Sequence, residues 1–336
     1  MNSLHGFGLG IVSENAQGAV LDTFYPRPVA QVSDELAGVL SGVSGRLDAA
    51  QLAALSRALD AAGDSAGAGL ATQLATAEGK VVATLLAENA PPSSVEEAYL
   101  KLHLISHRRM KPHETDLTGL FGLLPNVAWT DQGPVDLEEL PQRQLAARLK
   151  GAVLEVSSVD KFPKMTNYLV PEGVRIAHTA RVRLGAYLGE GTTVMHEGFI
   201  NFNAGTAGPG MIEGRISAGV WVGEGSDLGG GCSTMGTLSG GGDIVISVGK
   251  ECLIGANAGL GIPLGDRCKI EAGLFVTAGT KVSVLDDGGN TIETVSARTL
   301  AGRSDLLFRR HSSTGTVQCL TNKSAIELNE ILHANN

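Results

Sequence analysis

From about residue 174 the apolar positions follow a spacing that is neither helical nor alternating. Aliphatic side chains recur every six residues at Ile176, Val182, Leu188, Val194 and Ile200. The rhythm breaks at NAGTAGPGM (203–211), resumes at Val222 and Leu228, and runs again through Val248, Ile254 and Leu260. After a four-residue step it continues with Leu264, Ile270, Val276 and Val282. Small residues follow each aliphatic position two to four places on. A helix repeats its apolar face every 3.6 residues and a half-buried strand every 2. A period of six is the signature of a hexapeptide β-helix repeat. Each hexad is one short strand and a turn, with one aliphatic side chain pointing inward. No single coil buries its own core, so stacking supplies the stability. The two breaks in the rhythm, 203–211 and roughly 236–245, are predicted to be loops.

The N-terminal third has a different texture. GFGLGIVS and AVLDTFYPRP, near the start of the chain, read as strands and turns. LDAAQLAALSRALDAAG has helical spacing and ends at Gly63. PPSSVEEAYLKLHLISHRRMKPHE has Ser94 with Glu97 three residues on, a capping-box pattern, and Pro112 is predicted to mark its end. The tail of that helix (His107, Arg108, Arg109, Lys111, His113) reads as cations placed at a helix C-terminus. Residues 116–170, punctuated by Pro125, Pro134, Pro141 and Pro163, read as a connector with short helices such as DLEELPQRQLAARLKGAVLE. The expected layout is therefore an α/β domain over 1–115, a connector over 116–170, a mainly β repeat domain over 171–285 and a small C-terminal extension over 286–336.

Composition sharpens this picture. Of the 45 glycines, 25 lie between 181 and 280, and aromatic residues are only 4% of the chain, which suits thin repetitive layers. A net charge of −9 argues against nucleic acid as the main partner, because phosphate neutralisation needs a basic surface. Cys232, Cys252, Cys268 and Cys319 form no CxxC pair and no zinc spacing. With no signal peptide and no long apolar run, they read as reduced thiols of a cytoplasmic protein.

The stretch DLGGGCSTMGTLSGGGD (227–243) lies inside the repeat region. It lacks the lysine and following helix of a phosphate loop, and repeats on both sides exclude a linker. It reads as a β-helix wall with an outgoing loop beside a ligand: Gly230 for ligand approach, Gly236 for an oxyanion, and Gly240 to Gly242 for the return of the loop. Glu213, in MIEGRIS just after the first break, is the best carboxylate for accepting a proton. Arg215 beside it would keep it ionised. A plain surface Glu–Arg pair is the competing reading.

The runs VRLGAYLGEGTTVMHEGFINFNAGT, MIEGRISAGVWVGEGSDLGGGCSTMGTLSGGG and LIGANAGLGIPLGDRCKIEAGLFVTAGT resemble tetrahydrodipicolinate N-succinyltransferase, in the longer branch of that family found in actinobacteria and some proteobacteria. The resemblance covers about residues 170 to 320. It implies a left-handed parallel β-helix, a homotrimer with sites between subunits, succinyl-CoA as donor, and the acyclic amino-keto dicarboxylate of lysine and diaminopimelate synthesis as acceptor. It places the active-site carboxylate at Glu213, through a covalent anhydride or as a general base, and the oxyanion-binding N–H at Gly236. Donor contacts fall on Arg215, Gly230, Ser233, Ala256, Glu271, Ala272 and Gly279. The coenzyme phosphates fall on Arg309, Arg310, His311 and Ser312, suited by the planar fork of arginine. Some relatives carry a lysine where this chain has Ser296. Either Arg298 substitutes or that phosphate contact is absent. Glu197 matches a divalent-metal site on the trimer axis, for Mg²⁺ or Ca²⁺ by its hard oxygen ligands. Relatives add an aspartate where this chain has Ala180, which weakens the metal site. His196 reads as structural. The fold alone does not choose the acyl group. A hexapeptide-repeat acetyltransferase using acetyl-CoA is the alternative, and a non-catalytic β-helix protein is a third reading, disfavoured because the eight histidines lack metal spacing.

Overall fold

The computed structural model describes residues 4–236 and 244–321. It divides into two compact units. The first draws on Met1–Met110, Glu114–Pro163 and Asn167–Leu169, the second on Lys111–His113, Lys164–Thr166 and Val170–Asn336.

In the first unit the strand Leu4–Glu14 runs between Val20–Phe24 and Lys80–Leu86, antiparallel to both. Its sequence alternates glycine with bulk. Phe7 and Leu9 enter a core with Leu52, Leu55 and Leu59 of the helix Ala49–Ala61. The glycines face the other way, where a Cβ on Gly8 would lie 2.6 Å from the Tyr25 ring and 2.8 Å from Leu100. Glycine there lets the helix Val95–Ser106 lie close to the sheet. That helix is capped by Ser94, whose hydroxyl accepts the Glu97 N–H, while the Glu97 carboxylate turns back to Ser93. It stops at Ser106, short of Pro112, because Arg108 takes a left-handed backbone (φ 60°). Residues 116–160 hold structure of their own. Val127–Thr130 pairs with Gly133–Asp136 and Val156–Asp160, and a helix spans Leu140–Leu149 with Pro141 in its first turn, where proline's missing N–H costs nothing.

The second unit is a stack of short parallel strands on three faces. On one face Ile176, Val194, Ile212, Leu228, Ile254 and Ile270 stand in register, and Phe308 closes the column. Every one of these from Val194 onward is 2% exposed or less, so the aliphatic column is the core. Successive coils differ in length. The coil from Val194 to its partner Ile212 holds three full hexads, whereas the coil from Ile212 to its partner Leu228 is shorter. The shorter coils absorb the four-residue steps.

The first break in the rhythm is not a loop. Residues 203–211 contain the strand Ala204–Thr206 and the start of Gly210–Ile212. Thr206 takes the aliphatic position between Leu188 and Val222 and is fully buried. It has the shape of valine, and its hydroxyl accepts the Gly208 N–H at 3.2 Å, so burial leaves no unsatisfied group. Thr234 does the same opposite Leu260. The second break is a true insertion: Val222 pairs with Val248, and the coil between them is longer than either of the coils described above. Of that insertion, residues 237–243, including Gly240 to Gly242, lie outside the described residues.

Beyond Val276 the chain stays in the sheet. Lys281–Leu285 and Thr291–Ser296 form an antiparallel hairpin. Leu306–Arg310 stacks parallel on Lys269–Ile270, and Val317–Thr321 bridges Leu306–Arg310 and the hairpin.

Candidate active site

One corner of the coil collects Glu213, Gly230, Ala256, Glu271, Ala272, Arg309 and Arg310. The N–H of Glu213 bonds to Leu228 O (2.8 Å), that of Gly229 to Ile254 O (2.8 Å), that of Gly255 to Ile270 O (2.8 Å) and that of Glu271 to Phe308 O (2.9 Å). Positions 213, 229, 255, 271 and 309 therefore stack along one edge. Gly230, Ala256, Ala272 and Arg310 stack one residue further on.

The glycines along this edge have separate causes. A Cβ on Gly229 would lie 2.7 Å from the Ala256 nitrogen, and one on Gly255 2.5 Å from the Ala272 nitrogen. These two are required by the closeness of neighbouring coils. Gly231 has φ +71°, which glycine adopts without strain. Gly230 has neither constraint: its missing Cβ leaves room for one group, Glu213 Oε2, at 3.3 Å. The corner is thus bare of side chains beside the Glu213 carboxylate.

Arg215 and Ser233 are cross-strand partners on the adjacent face. Arg215 donates from Nε (3.2 Å) and Nη2 (2.9 Å) to Ser233 Oγ. Among the described residues Glu213 and Arg215 make no ion pair. Glu213 sits at the corner and Arg215 starts the next strand, so residues two apart leave in different directions. Between them Cys232 is buried. Burial pushes its thiol up to about 12, with the Glu213 charge adding and the Arg215 charge opposing. It stays a thiol at neutral pH, which excludes it as a nucleophile. Gly236 borders Ser217 and Ala218, 3.4 Å from the Ala218 oxygen to the position of a Cβ, and among the described residues no backbone acceptor takes its N–H.

At the far end of the corner the Glu271 carboxylate accepts the Arg310 N–H at 2.6 Å and ties that strand to the coil. Arg309 and Arg310 do not act as a pair. Strand alternation puts their side chains on opposite faces. Arg309 Nε donates to Gln318 Oε1 (3.1 Å), and Arg310 Nη1 to Gly315 O (3.4 Å). His311 and Ser312 lie in the turn that follows, where His311 Nδ1 meets Thr314. Gly279 has open space around it, between Phe275–Thr277 and Lys281–Leu285. The cation beside Ser296 is Lys281, whose Nζ lies 3.3 Å from Ser296 Oγ. Arg298 lies beyond the strand and gives its N–H to Ala278 O. Counting outward from the DDGGN turn would set Lys281 opposite Val295, and the bulge between Val284 and Leu285 moves its partner to Ser296.

Glu197 is exposed, in the turn one coil before Glu213, where the Met195 N–H bonds to Ile212 O (2.9 Å). Its oxygens meet His196 Nδ1 (3.0 Å) and Arg181 Nη2 (3.4 Å). The His196 hydrogen bond, then the Arg181 charge, hold its carboxyl below the usual range. Among the described residues no group of three or more His, Cys, Asp or Glu could hold a metal ion. A groove of about 890 Å³ runs along a different corner, past Gly191, Pro209, Gly225 and Glu251, and contains none of the residues singled out.

Residues 124–164 match the family described as tetrahydrodipicolinate N-succinyltransferase, middle, and residues 245–278 match the hexapeptide repeat of succinyl-transferase. The chain is 63% identical to the 2,3,4,5-tetrahydropyridine-2,6-dicarboxylate N-succinyltransferase of Pseudomonas putida, over 100% of this chain and 99% of that one. It is 58% identical to the Vibrio cholerae enzyme of the same name, over 98% of each. A solved structure from Campylobacter jejuni, assigned as a 2,3,4,5-tetrahydropyridine-2-carboxylate N-succinyltransferase, superimposes with a TM-score of 0.88 at 31% identity, covering 97% of this chain and 94% of that one. Among the described residues no helix is long and apolar enough to cross a membrane. Whole-length identity at this level, with both family matches, shows that the chain belongs to the tetrahydrodipicolinate N-succinyltransferase family.

Proposed function

We propose that the protein transfers the succinyl group of succinyl-CoA to the amine of the acyclic form of tetrahydrodipicolinate, L-2-amino-6-oxopimelate, in lysine and diaminopimelate synthesis. The observation that carries this reading is the Glu213 carboxylate beside the side-chain-free Gly230, on a corner that leads, coil by coil, to Arg309. Glu213 takes the proton of the attacking amine as the N–C bond forms on the thioester carbonyl. The carbonyl oxygen gains the charge and the Gly236 N–H stabilises it. The tetrahedral species then breaks its C–S bond, and the thiolate of CoA leaves and takes up a proton. The donor's pantetheine arm is an amide chain, so the backbone at Gly230, Ala256, Ala272 and Gly279 pairs with it much as a strand edge would. Arg215 and Ser233 line the same path, and Ser296, Arg309, His311 and Ser312 hold the nucleotide end, with Arg310, on the other face of its strand, contributing less.

The finer architecture belongs to the same reading: an N-terminal domain over 1–115, a left-handed coil over 171–285, and a cytoplasmic homotrimer in which a neighbouring subunit closes the open side of each corner. Four free, buried cysteines suit a reducing compartment. For a divalent cation on the trimer axis one chain brings one carboxylate, Glu197, already paired with Arg181 and His196. A carboxylate held by two cationic or donor partners is a poor ligand for Mg²⁺ or Ca²⁺, which seek free oxygen donors, and no step runs through a metal. The test is CoA release from succinyl-CoA against acetyl-CoA with tetrahydrodipicolinate as acceptor. Succinyl-CoA is expected to be the better donor by at least about tenfold, roughly 1.4 kcal/mol of transition-state binding. Preference for acetyl-CoA would overturn the assignment.

A further inference from the structure

We propose that Lys281 is a donor-binding residue that engages the phosphates of coenzyme A together with Arg309. The inference rests on the acyl-transfer reading above and extends it to a residue that the sequence motifs passed over. Three observations carry it.

Lys281 stands directly opposite Ser296 in the hairpin, and its Nζ lies 3.3 Å from Ser296 Oγ. Among the described residues no carboxylate neutralises it, and it is exposed.

The pairing across this part of the sheet also fixes which side chains share a face. Val282 pairs with Val317, and Val317 with Arg310. Ser283 pairs with Gln318, and Gln318 with Arg309. Directly paired residues project from the same side of a sheet, and residues two apart on a strand share that side. Lys281, Ser283, Gln318 and Arg309 therefore share one face, and Arg310 lies on the other with the buried Val282. Thr294 and Ser296 complete the shared face, while Glu293 pairs with Val284 on the opposite one. The shared face holds two cations and hydroxyl or amide groups, with no carboxylate from these strands.

The spacing suits a ligand with more than one phosphate. Two strand separations of about 4.8 Å lie between the strands of Lys281 and Arg309. Arg309 is level with Ser283, two residues along from Lys281, so the two backbone positions lie about 12 Å apart, and coenzyme A, with a diphosphate and a separate ribose phosphate, can engage both cations. Arg309 is steadied by Gln318 and Lys281 by Ser296, so each is held before the donor arrives.

The test compares succinyl-CoA with succinyl-pantetheine, which has the same thioester and no phosphate, for wild type, Lys281→Met and Lys281→Arg. Lys281→Met is expected to raise the KM for succinyl-CoA roughly threefold to tenfold, the range of an exposed charge-assisted contact, with kcat unchanged. Lys281→Arg should stay close to wild type. The KM for succinyl-pantetheine should not change in either variant. An unchanged KM for succinyl-CoA in Lys281→Met overturns the proposal. So does an equal rise with both donors, which would mark a distorted hairpin. Wild type that turns over neither donor would instead remove the acyl-transfer reading, and this inference with it.

Discussion

Gly230→Ala separates the chemistry of the active corner from its packing. A Cβ on Gly230 meets one atom, Glu213 Oε2, at 3.3 Å. That is a few tenths of an ångström inside comfortable contact. The carboxylate ends a flexible side chain, so it moves and the backbone does not. Gly230 is not among the positive-φ glycines, so alanine fits its conformation. Folding stability should change by less than about 1 kcal/mol, as for substitutions that neither leave a cavity nor strain the backbone. Catalysis should suffer more. A misplacement of about 1 Å costs roughly 100-fold, so a shift of a few tenths predicts a fall in kcat of about threefold to tenfold, roughly 1 kcal/mol. Gly229→Ala is the control. Its Cβ would lie 2.7 Å from the Ala256 nitrogen and 2.9 Å from the Ile254 oxygen, both backbone atoms. Neither can swing aside, and overpacking of this kind costs about 1–3 kcal/mol. The assays are steady-state CoA release and urea unfolding of both variants. Gly230→Ala with full kcat, or with the same loss of stability as Gly229→Ala, would refute the reasoning.

Other consequences are as direct. Because Arg309 and Arg310 face opposite ways, the single alanine variants should differ: Arg309→Ala should raise the donor KM roughly threefold to tenfold, and Arg310→Ala clearly less. Equal effects in steady-state kinetics would contradict the face assignment. In the first unit, burial lowers the pKa of His103 to about 3. Its folded value lies below the unfolded 6.5, so its stabilising contribution is complete above pH 6.5 and is lost as pH falls toward 3. At pH 5 the loss is about 2 kcal/mol. His107, lowered to about 4 mainly by burial, adds to it, while Asp22, raised by burial, opposes it at lower pH. Urea midpoints at pH 7.5 and 5.0 measure this, and equal midpoints would show that His103 is not held neutral.

Much of the second unit was legible because its core repeats. One aliphatic residue per hexad marks each inward position, whereas the alignment of Glu213, Glu271 and Arg309 on one corner comes from the strand register, since no whole number of hexads separates Glu271 from either of the others. The pattern failed where Thr206 and Thr234 replace the aliphatic residue, since a buried hydroxyl looks polar in sequence yet packs like valine once its hydrogen bonds are made. The Glu213–Arg215 pair failed for another reason: sequence proximity says nothing about a corner between two residues. The glycine run was only half legible. Stacking at Gly229, positive φ at Gly231 and room for a carboxylate at Gly230 need coordinates to tell apart. In the first unit the small sheet of Val127–Thr130, Gly133–Asp136 and Val156–Asp160 looks like a connector in sequence, because its strands are short and proline-marked. Lys281 was missed because its partner Ser296 is near only across the hairpin.

The central claim is that the Glu213 carboxylate drives succinyl transfer at this corner. Glu213→Gln keeps the side-chain shape and removes the basicity. Single-turnover CoA release from succinyl-CoA and tetrahydrodipicolinate should slow by at least about 100-fold, the scale of a lost acid–base group, with donor affinity and urea midpoint unchanged. Release within a few-fold of wild type would take Glu213 out of the chemistry.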